Sequence, residues 1–229
     1  MKFTKEEICR RIGYKNDENY ILILHIEGGG GIEKLIQAPK GMNISFNGTG
    51  NIIVFCSDES GCLGRFRNCE ILLGDRNFVL IANTKFTIRN LHIVSSTAKD
   101  CSVEIGRNFS CGDCLIQVAE GNSVNIGSNC MFAGGIEIRN SDFHAIYNNL
   151  TKELLNRGSD VIIEEHVWVA FGVKILKGVK VSRDSVVGAG SVVTKKFNAS
   201  NVIIAGNPAR IIKTDINWTR TSPLDYESS

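Results

Sequence analysis

From Ile163 onward the sequence repeats every six residues. Cut in that frame it reads IEEHVW, VAFGVK, ILKGVK, VSRDSV, VGAGSV, VTKKFN. Each unit opens on an aliphatic side chain: Ile163, Val169, Ile175, Val181, Val187 and Val193. The fifth places, Val167, Val173, Val179, Ser185, Ser191 and Phe197, are mostly small or apolar. A six-residue unit has room for one short strand and one turn. Three units close a triangular coil, and the first residue of each points inward onto its equivalent one coil away. The corners must be small or tolerate positive φ, which accounts for the glycine and asparagine usage. Stacked coils pair their backbones, so only the two ends leave open edges. A second block in another frame, IGSNCM, FAGGIE, IRNSDF, runs from Ile126 to Phe143. A β-meander does not account for six consecutive in-frame units. The expected fold is all-β, a parallel β-helix.

The remaining chain is consistent with this. Residues 4–13 read as a short helix, with Thr4 and Glu7 as a capping box and Gly13 at its end. An apolar strand, Tyr20 to Ile26, runs into Gly28–Gly31. A phosphate loop is rejected there, because no Gly-Lys-Ser/Thr follows, and the run is taken as a flexible turn. From about Asn43 short β-type runs recur, among them NIIVF, EILLG, SVEIG and SVNIG, each closed by Gly, Asn or Asp. The frame breaks after Phe143, and the polar insert 144–160 must leave the prism as a loop. The expected organisation is an N-terminal segment with a short helix over 1–42, a β-helix domain over 43–213 and a C-terminal extension over 214–229. Of 229 residues 26 are basic and 24 acidic, a balance with no field for nucleic acid. No run is long and apolar enough to span a bilayer, and the charged start lacks a secretory signal, so a cytoplasmic protein with reduced cysteines is expected.

The motifs SDFHAIY, EEHVWVAFGVKILKGVKV, VGAGSVVTK and AGNPARIIK, with the hexapeptide units around them, resemble bacterial hexapeptide-repeat acetyltransferases. Within these the chain is most similar to O-acetyltransferases of capsular and surface polysaccharides, including polysialic acid. The match covers roughly residues 120–213. It implies a left-handed β-helix, a homotrimer, and acetyl-CoA bound in a cleft between subunits. There are departures: Ala170 stands where a glycine is usual, Phe143 where smaller residues are common, and Lys196 where an acid is frequent.

The resemblance assigns His144 as general base, matching the histidine of the family's S-D-x-H motif. Imidazole titrates near neutral pH and can take the proton of a sugar hydroxyl, a weak nucleophile, during attack on a thioester. Trp168 matches a catalytic tryptophan of the family's H-V-W segment, 24 residues after the histidine as here. Its indole N–H can donate to developing negative charge but cannot accept. Asp142 is a candidate for orienting His144, with Glu137 and Asn156 as rivals and a turn-forming role as the alternative. Ala170, Gly172, Ala189 and Gly190 are small corner residues along which a pantetheine arm could lie, although turn geometry alone would select them. Ala189, Thr194 and Lys195 match positions that touch CoA in the family, and Arg210 one near its phosphates.

The expected function is O-acetyl transfer from acetyl-CoA to a sugar hydroxyl of a bacterial capsule or surface polysaccharide, with no metal. The alternatives are N-acetylation of an amino sugar or small xenobiotic acceptor, and a non-catalytic or carbonic-anhydrase-like hexapeptide protein. The pair Cys111 and Cys114 forms C-x-x-C, but no second pair stands at finger spacing, so it is read as core.

Overall fold

The computed structural model describes residues 4–25, 31–57, 62–82 and 87–227. The Gly28–Gly30 part of the expected flexible turn lies outside these residues. The strands wind round a triangular prism. The first face stacks Tyr20–Leu24, Ile52–Cys56, Phe78–Ile81, Ser102–Ile105, Ser123–Ile126, Val161–Ile163 and Lys180–Val181, all parallel. The second stacks Arg65–Arg67, Thr87–Arg89, Ser110–Cys111, Met131–Phe132, Trp168–Val169, Val186–Val187 and Ile203–Gly206. It is closed by the antiparallel strand Ala209–Lys213. The third stacks Met42–Phe46, Cys69–Asp75, Leu91–Lys99, Cys114–Gln117, Ile136–Arg139, Lys174–Ile175 and Val192–Val193. This is the left-handed parallel β-helix expected.

The six-residue frame maps directly onto the faces. Ile163 pairs with Val181 on the first, Val169 with Val187 on the second and Ile175 with Val193 on the third. All six are buried, as are the fifth-place residues. Buried hydroxyls are satisfied locally: Ser191 Oγ donates to the Gly188 carbonyl at 2.6 Å and accepts from Gly206 N at 3.1 Å.

The helix Lys5–Ile12 forms as its capping signals dictate. Thr4 Oγ1 accepts from Glu7 N at 3.2 Å, and Gly13 closes the helix at φ +62°. Ile8 packs with Tyr20, Leu22, Leu24, Ile52 and Val54 in a small cluster outside the prism, so Ile52–Cys56 is buried on both faces. Tyr20–Leu24 is thus already in register with the first face, ahead of residue 43. The C-terminal segment packs back on the prism. Trp218 is buried, and Arg220 donates to Ser110 Oγ at 2.8 Å, to Cys130 O at 3.0 Å and to Asn108 O at 3.1 Å, tying the tail across the second face. Among the described residues no helix is long and apolar enough to cross a membrane.

Candidate active site

The excursion leaves the prism after Ile136–Arg139 and returns at Val161–Ile163, at the corner between the third and first faces. Its base is braced by side chains. Glu120 accepts from Ser141 Oγ and, at 2.8 Å, from Gly158 N; these bonds hold its carboxyl below the usual range. Phe143 takes the left-handed conformation at φ +62°, with its N–H on Ser141 Oγ at 2.9 Å. Asn156 ties the two arms together. Its Nδ2 donates to the His144 carbonyl at 2.9 Å and to Asp142 Oδ2 at 2.8 Å, and its Oδ1 accepts from Ile146 N at 2.7 Å.

His144 is therefore fixed through its backbone and exposed at its ring. The other three histidines each face a carboxylate: His25 Nε2 stands 3.2 Å from Glu33, His92 Nδ1 3.2 Å from Glu70, and His166 Nδ1 2.8 Å from Asp184. Among the described residues the His144 ring has no such partner. Asp142 takes the fifth place of IRNSDF, a place that is buried throughout the later block, yet it is not turned inward. It is exposed, and its carboxylate meets the Lys177 ammonium and the Asn156 amide rather than His144. The Lys177 contact, then the Asn156 bond, hold the Asp142 carboxyl below the usual range. The coil breaks one turn earlier, at buried Asn140 and Ser141. Glu137 is engaged with Arg139 and, at 3.5 Å, with Lys174 on the outside of the third face. Of the three candidates it is Asn156 that holds the histidine, through the main chain.

Trp168 stands on the second face, in register with Met131 and Val186. The second face lies opposite the corner that carries His144, so one prism holds the two residues on opposite sides. Trp168 is half-buried and lines a cavity of about 710 Å³ with Met131, Trp218, Arg220 and Tyr226. The chain's two tryptophans meet there, with ring centroids 6.1 Å apart. Trp218 also stacks on His166 at 4.5 Å and donates from Nε1 to the His166 carbonyl at 2.8 Å. Sequence reasoning missed Trp218. Its only signal was a large indole in an otherwise polar tail.

The proposed cofactor positions divide between two corners. Ala170, Gly172, Ala189 and Gly190 follow strands of the second face and form a column at its junction with the third. Gly135, Gly172 and Gly190 adopt φ between +67° and +72°, stacked so that a Cβ on Gly172 would lie only 4.0 Å from Gly190. This ridge is small enough for an extended thioester arm to approach the backbone, and nothing lies within 4 Å of a Cβ built on Gly190. Arg210 pairs with Ala205 beside it, its guanidinium donating to the Ala209 carbonyl at 2.8 Å. Thr194 and Lys195 follow Val192–Val193 and so stand at the other corner, on the side of His144. Lys195 Nζ lies 5.5 Å above the Phe197 ring. Cys111 and Cys114 are core residues. Burial pushes the Cys111 thiol up to about 12 and that of Cys114 well above its ordinary value, so neither offers a thiolate.

A prism of hexapeptide coils, with a histidine on a braced excursion and a ridge of small corner residues, defines a hexapeptide-repeat acyltransferase. Relatives narrow the class. The chain is 41% identical over 159 residues to a polysialic acid O-acetyltransferase of Neisseria meningitidis, covering 67% of this chain and 73% of that protein. It is 39% identical over 130 residues to the polysialic acid O-acetyltransferase of Escherichia coli O1:K1, covering 57% of this chain and 42% of that one. Among solved structures, the polySia-specific acetyltransferase NeuO superposes with a TM-score of 0.73 at 32% identity, over 90% of this chain and 80% of that one. The polysialic acid O-acetyltransferase OatWY gives 0.58 at 31%, over 81% and 97%. No protein-family model matches the chain. The chain belongs to the polysialic acid O-acetyltransferase family and is an acyltransferase enzyme.

Proposed function

We propose that the protein transfers an acetyl group from acetyl-CoA to a sugar hydroxyl of an acidic bacterial capsule or surface polysaccharide, with His144 as general base. The names of its relatives point to polysialic acid as the acceptor to try first. The carrying observation is the contrast among the histidines: three face carboxylates, while the His144 ring is exposed on a braced loop. A general base needs a free ring nitrogen toward its substrate and a pKa near the working pH.

On this reading His144 takes the hydroxyl proton as the sugar oxygen attacks the acetyl carbonyl carbon. The Trp168 indole N–H donates to the negative charge that develops on the carbonyl oxygen or the departing sulfur. The carbon–sulfur bond breaks, and His144 returns its proton to the CoA thiolate. Ala170, Gly172, Ala189 and Gly190 flank the pantetheine arm, with Thr194, Lys195 and Arg210 toward the rest of CoA. Asp142 acts on His144 only through Asn156, as a positioning residue. The scheme uses no metal, and we place it in the cytoplasm.

A site that uses both His144 and Trp168 needs two subunits, because one prism holds them on opposite sides. A homotrimer supplies three such sites. Exposed Ile146, Tyr147, Leu150 and Leu155 give the excursion an apolar surface to bury against a neighbour. The test is release of CoA thiol with polysialic acid as acceptor. His144→Ala should lower kcat roughly 10²–10⁴-fold with an unchanged melting temperature. Near-normal turnover in that folded variant removes the base assignment.

A further inference from the structure

We propose that the N-terminal end of the second face is a binding track for the acidic acceptor chain, remote from the reacting sugar and built by Arg65, Arg67 and Arg89. The inference rests on the acceptor reading above and deepens it. Arg65 is in register with Thr87 and Arg67 with Arg89. The same face continues through Ser110 and Met131 to Trp168. The arginines therefore share the face of Trp168, displaced along the prism axis. With about 4.8 Å between neighbouring strands, Arg89 stands roughly 14 Å and Arg65 roughly 19 Å along the axis from the Trp168 strand.

All three side chains are exposed, and among the described residues none has an ion-pair or hydrogen-bond partner. Other prism arginines are paired, Arg76 with Asp100 at 2.6 Å and Arg183 with Glu165 at 3.1 Å, although among the described residues exposed Arg107 is not. A fourth cation is held nearby. Gly41 packs so closely that a Cβ there would lie 2.1 Å from the Phe66 carbonyl oxygen, and its own carbonyl accepts from Cys69 N at 3.1 Å. Exposed Lys40 precedes Gly41 and lines a cavity of about 640 Å³ with Arg65 and Arg67.

The outward positions between the arginines and Trp168 are Thr87, Ser110 and Met131, none of them acidic. Arg220 of the tail lies over Ser110, midway along this run. Among the described residues that line the cavity at the Trp168 end, the one carboxylate is Glu227. Unpaired like charges this close repel one another, and a polyanion relieves that repulsion. A guanidinium fork matches a carboxylate in shape and charge. On the acceptor reading above, the ligand is a carboxylate-bearing polysaccharide lying along the axis with its reacting unit at Trp168.

The test uses the full chain with Arg65→Ser, Arg67→Ser and Arg89→Ser combined, and two acceptors, long polysialic acid and disialic acid. The expected result is a KM for the polymer raised roughly tenfold, with kcat and the KM for disialic acid unchanged. The polymer KM should also become less sensitive to salt. No change on the polymer, or an equal change on both acceptors, overturns the track and leaves the acetyl-transfer reading standing. If the wild type acetylates neither acceptor, that reading fails, and the track is judged by electrophoretic retardation of polysialic acid alone. Retardation by wild type that the triple variant loses supports it, and no retardation overturns it. A fall in the variant's mass by light scattering makes the arginines a subunit interface and also overturns it.

Discussion

Tyr20, Ile52, Phe78, Ser102 and Ser123 stack on one face at intervals of 32, 26, 24 and 21 residues, whereas Ile163 and Val181, or Ile175 and Val193, stand 18 apart. The two halves of the prism solve the same closure problem differently. In the equal coils the strands are two or three residues long, and Gly172, Gly178 and Gly190, with His166 and Asp184, turn the corners at positive φ over a core rich in valine and isoleucine. In the unequal coils strands reach nine residues, and side chains help to make the corners. Asn51 Oδ1 accepts from Asn77 N at 2.9 Å, while Asn77 Oδ1 accepts from Ser95 Oγ at 3.1 Å and Cys101 N at 3.0 Å. Aromatic pairs fill the core there, Phe55 on Phe66 at 5.5 Å and Phe109 on Phe132 at 5.0 Å. The lesson is a division of labour. The unequal half is held by large fillers and buried polar bonds, and the proposed chemistry gathers where the coils become equal.

The strongest way to break this comparison is in the core of the unequal half. Phe55→Ala should cost about 3–5 kcal/mol of stability, read as a shift in the denaturant midpoint, because a ring buried on all sides leaves a cavity. Activity per folded molecule should stay the same. A loss of kcat in the folded fraction contradicts the division. The converse substitution is Trp168→Phe in the equal half. It keeps the aromatic bulk against Trp218 and deletes the donor, so stability should hold while kcat falls at least tenfold, and by as much as roughly 3 kcal/mol of barrier. Wild-type turnover in that variant makes Trp168 a packing residue.

The smallest effect concerns the excursion. Asp142 and Glu120 have carboxyls held below the usual range by partners in the fold. Groups depressed in this way stabilise above their unfolded pKa, and the contribution is lost as pH falls through the folded value. The excursion should therefore resist proteolysis at neutral pH and become cleavable only in acid, below about pH 4. Asp142→Asn should raise the cleavage rate at pH 7 severalfold without moving the global melting temperature. Cleavage that does not depend on pH, in wild type and variant alike, contradicts the anchoring.

The sequence shows these halves unequally. The frame from Ile163 to Phe197 is legible because equal coils force one aliphatic into every first place. The earlier block likewise puts buried apolar residues, Ile126, Phe132 and Ile138, in its first places. Upstream the coils differ in length, so no single period exists to find, and Tyr20–Leu24 goes unrecognised as part of the first face. Asp142 misleads because the frame ends at Asn140, where a buried amide rather than an aliphatic closes the coil and accepts from Ala119 N at 2.9 Å. The His144 excursion is visible as a break in the period. Its brace is not, because Glu120, Lys177 and Asn156 are far apart in sequence and meet only when coils stack. Trp218 is hidden for the same reason, since nothing in a polar tail announces that it returns to Trp168.

The central claim is that His144 of one subunit works with Trp168 of another, and mixed trimers test it directly. His144→Ala and Trp168→Phe chains, each impaired alone, are co-expressed with different tags and the doubly tagged species isolated. If each site draws its histidine and tryptophan from neighbouring chains, every mixed trimer so isolated has both residues at one of its three sites, about a third of the sites, and activity reappears. If each subunit supplies both residues to its own site, no mixed assembly contains an intact one. Activity no higher than that of the separate variants then contradicts the account.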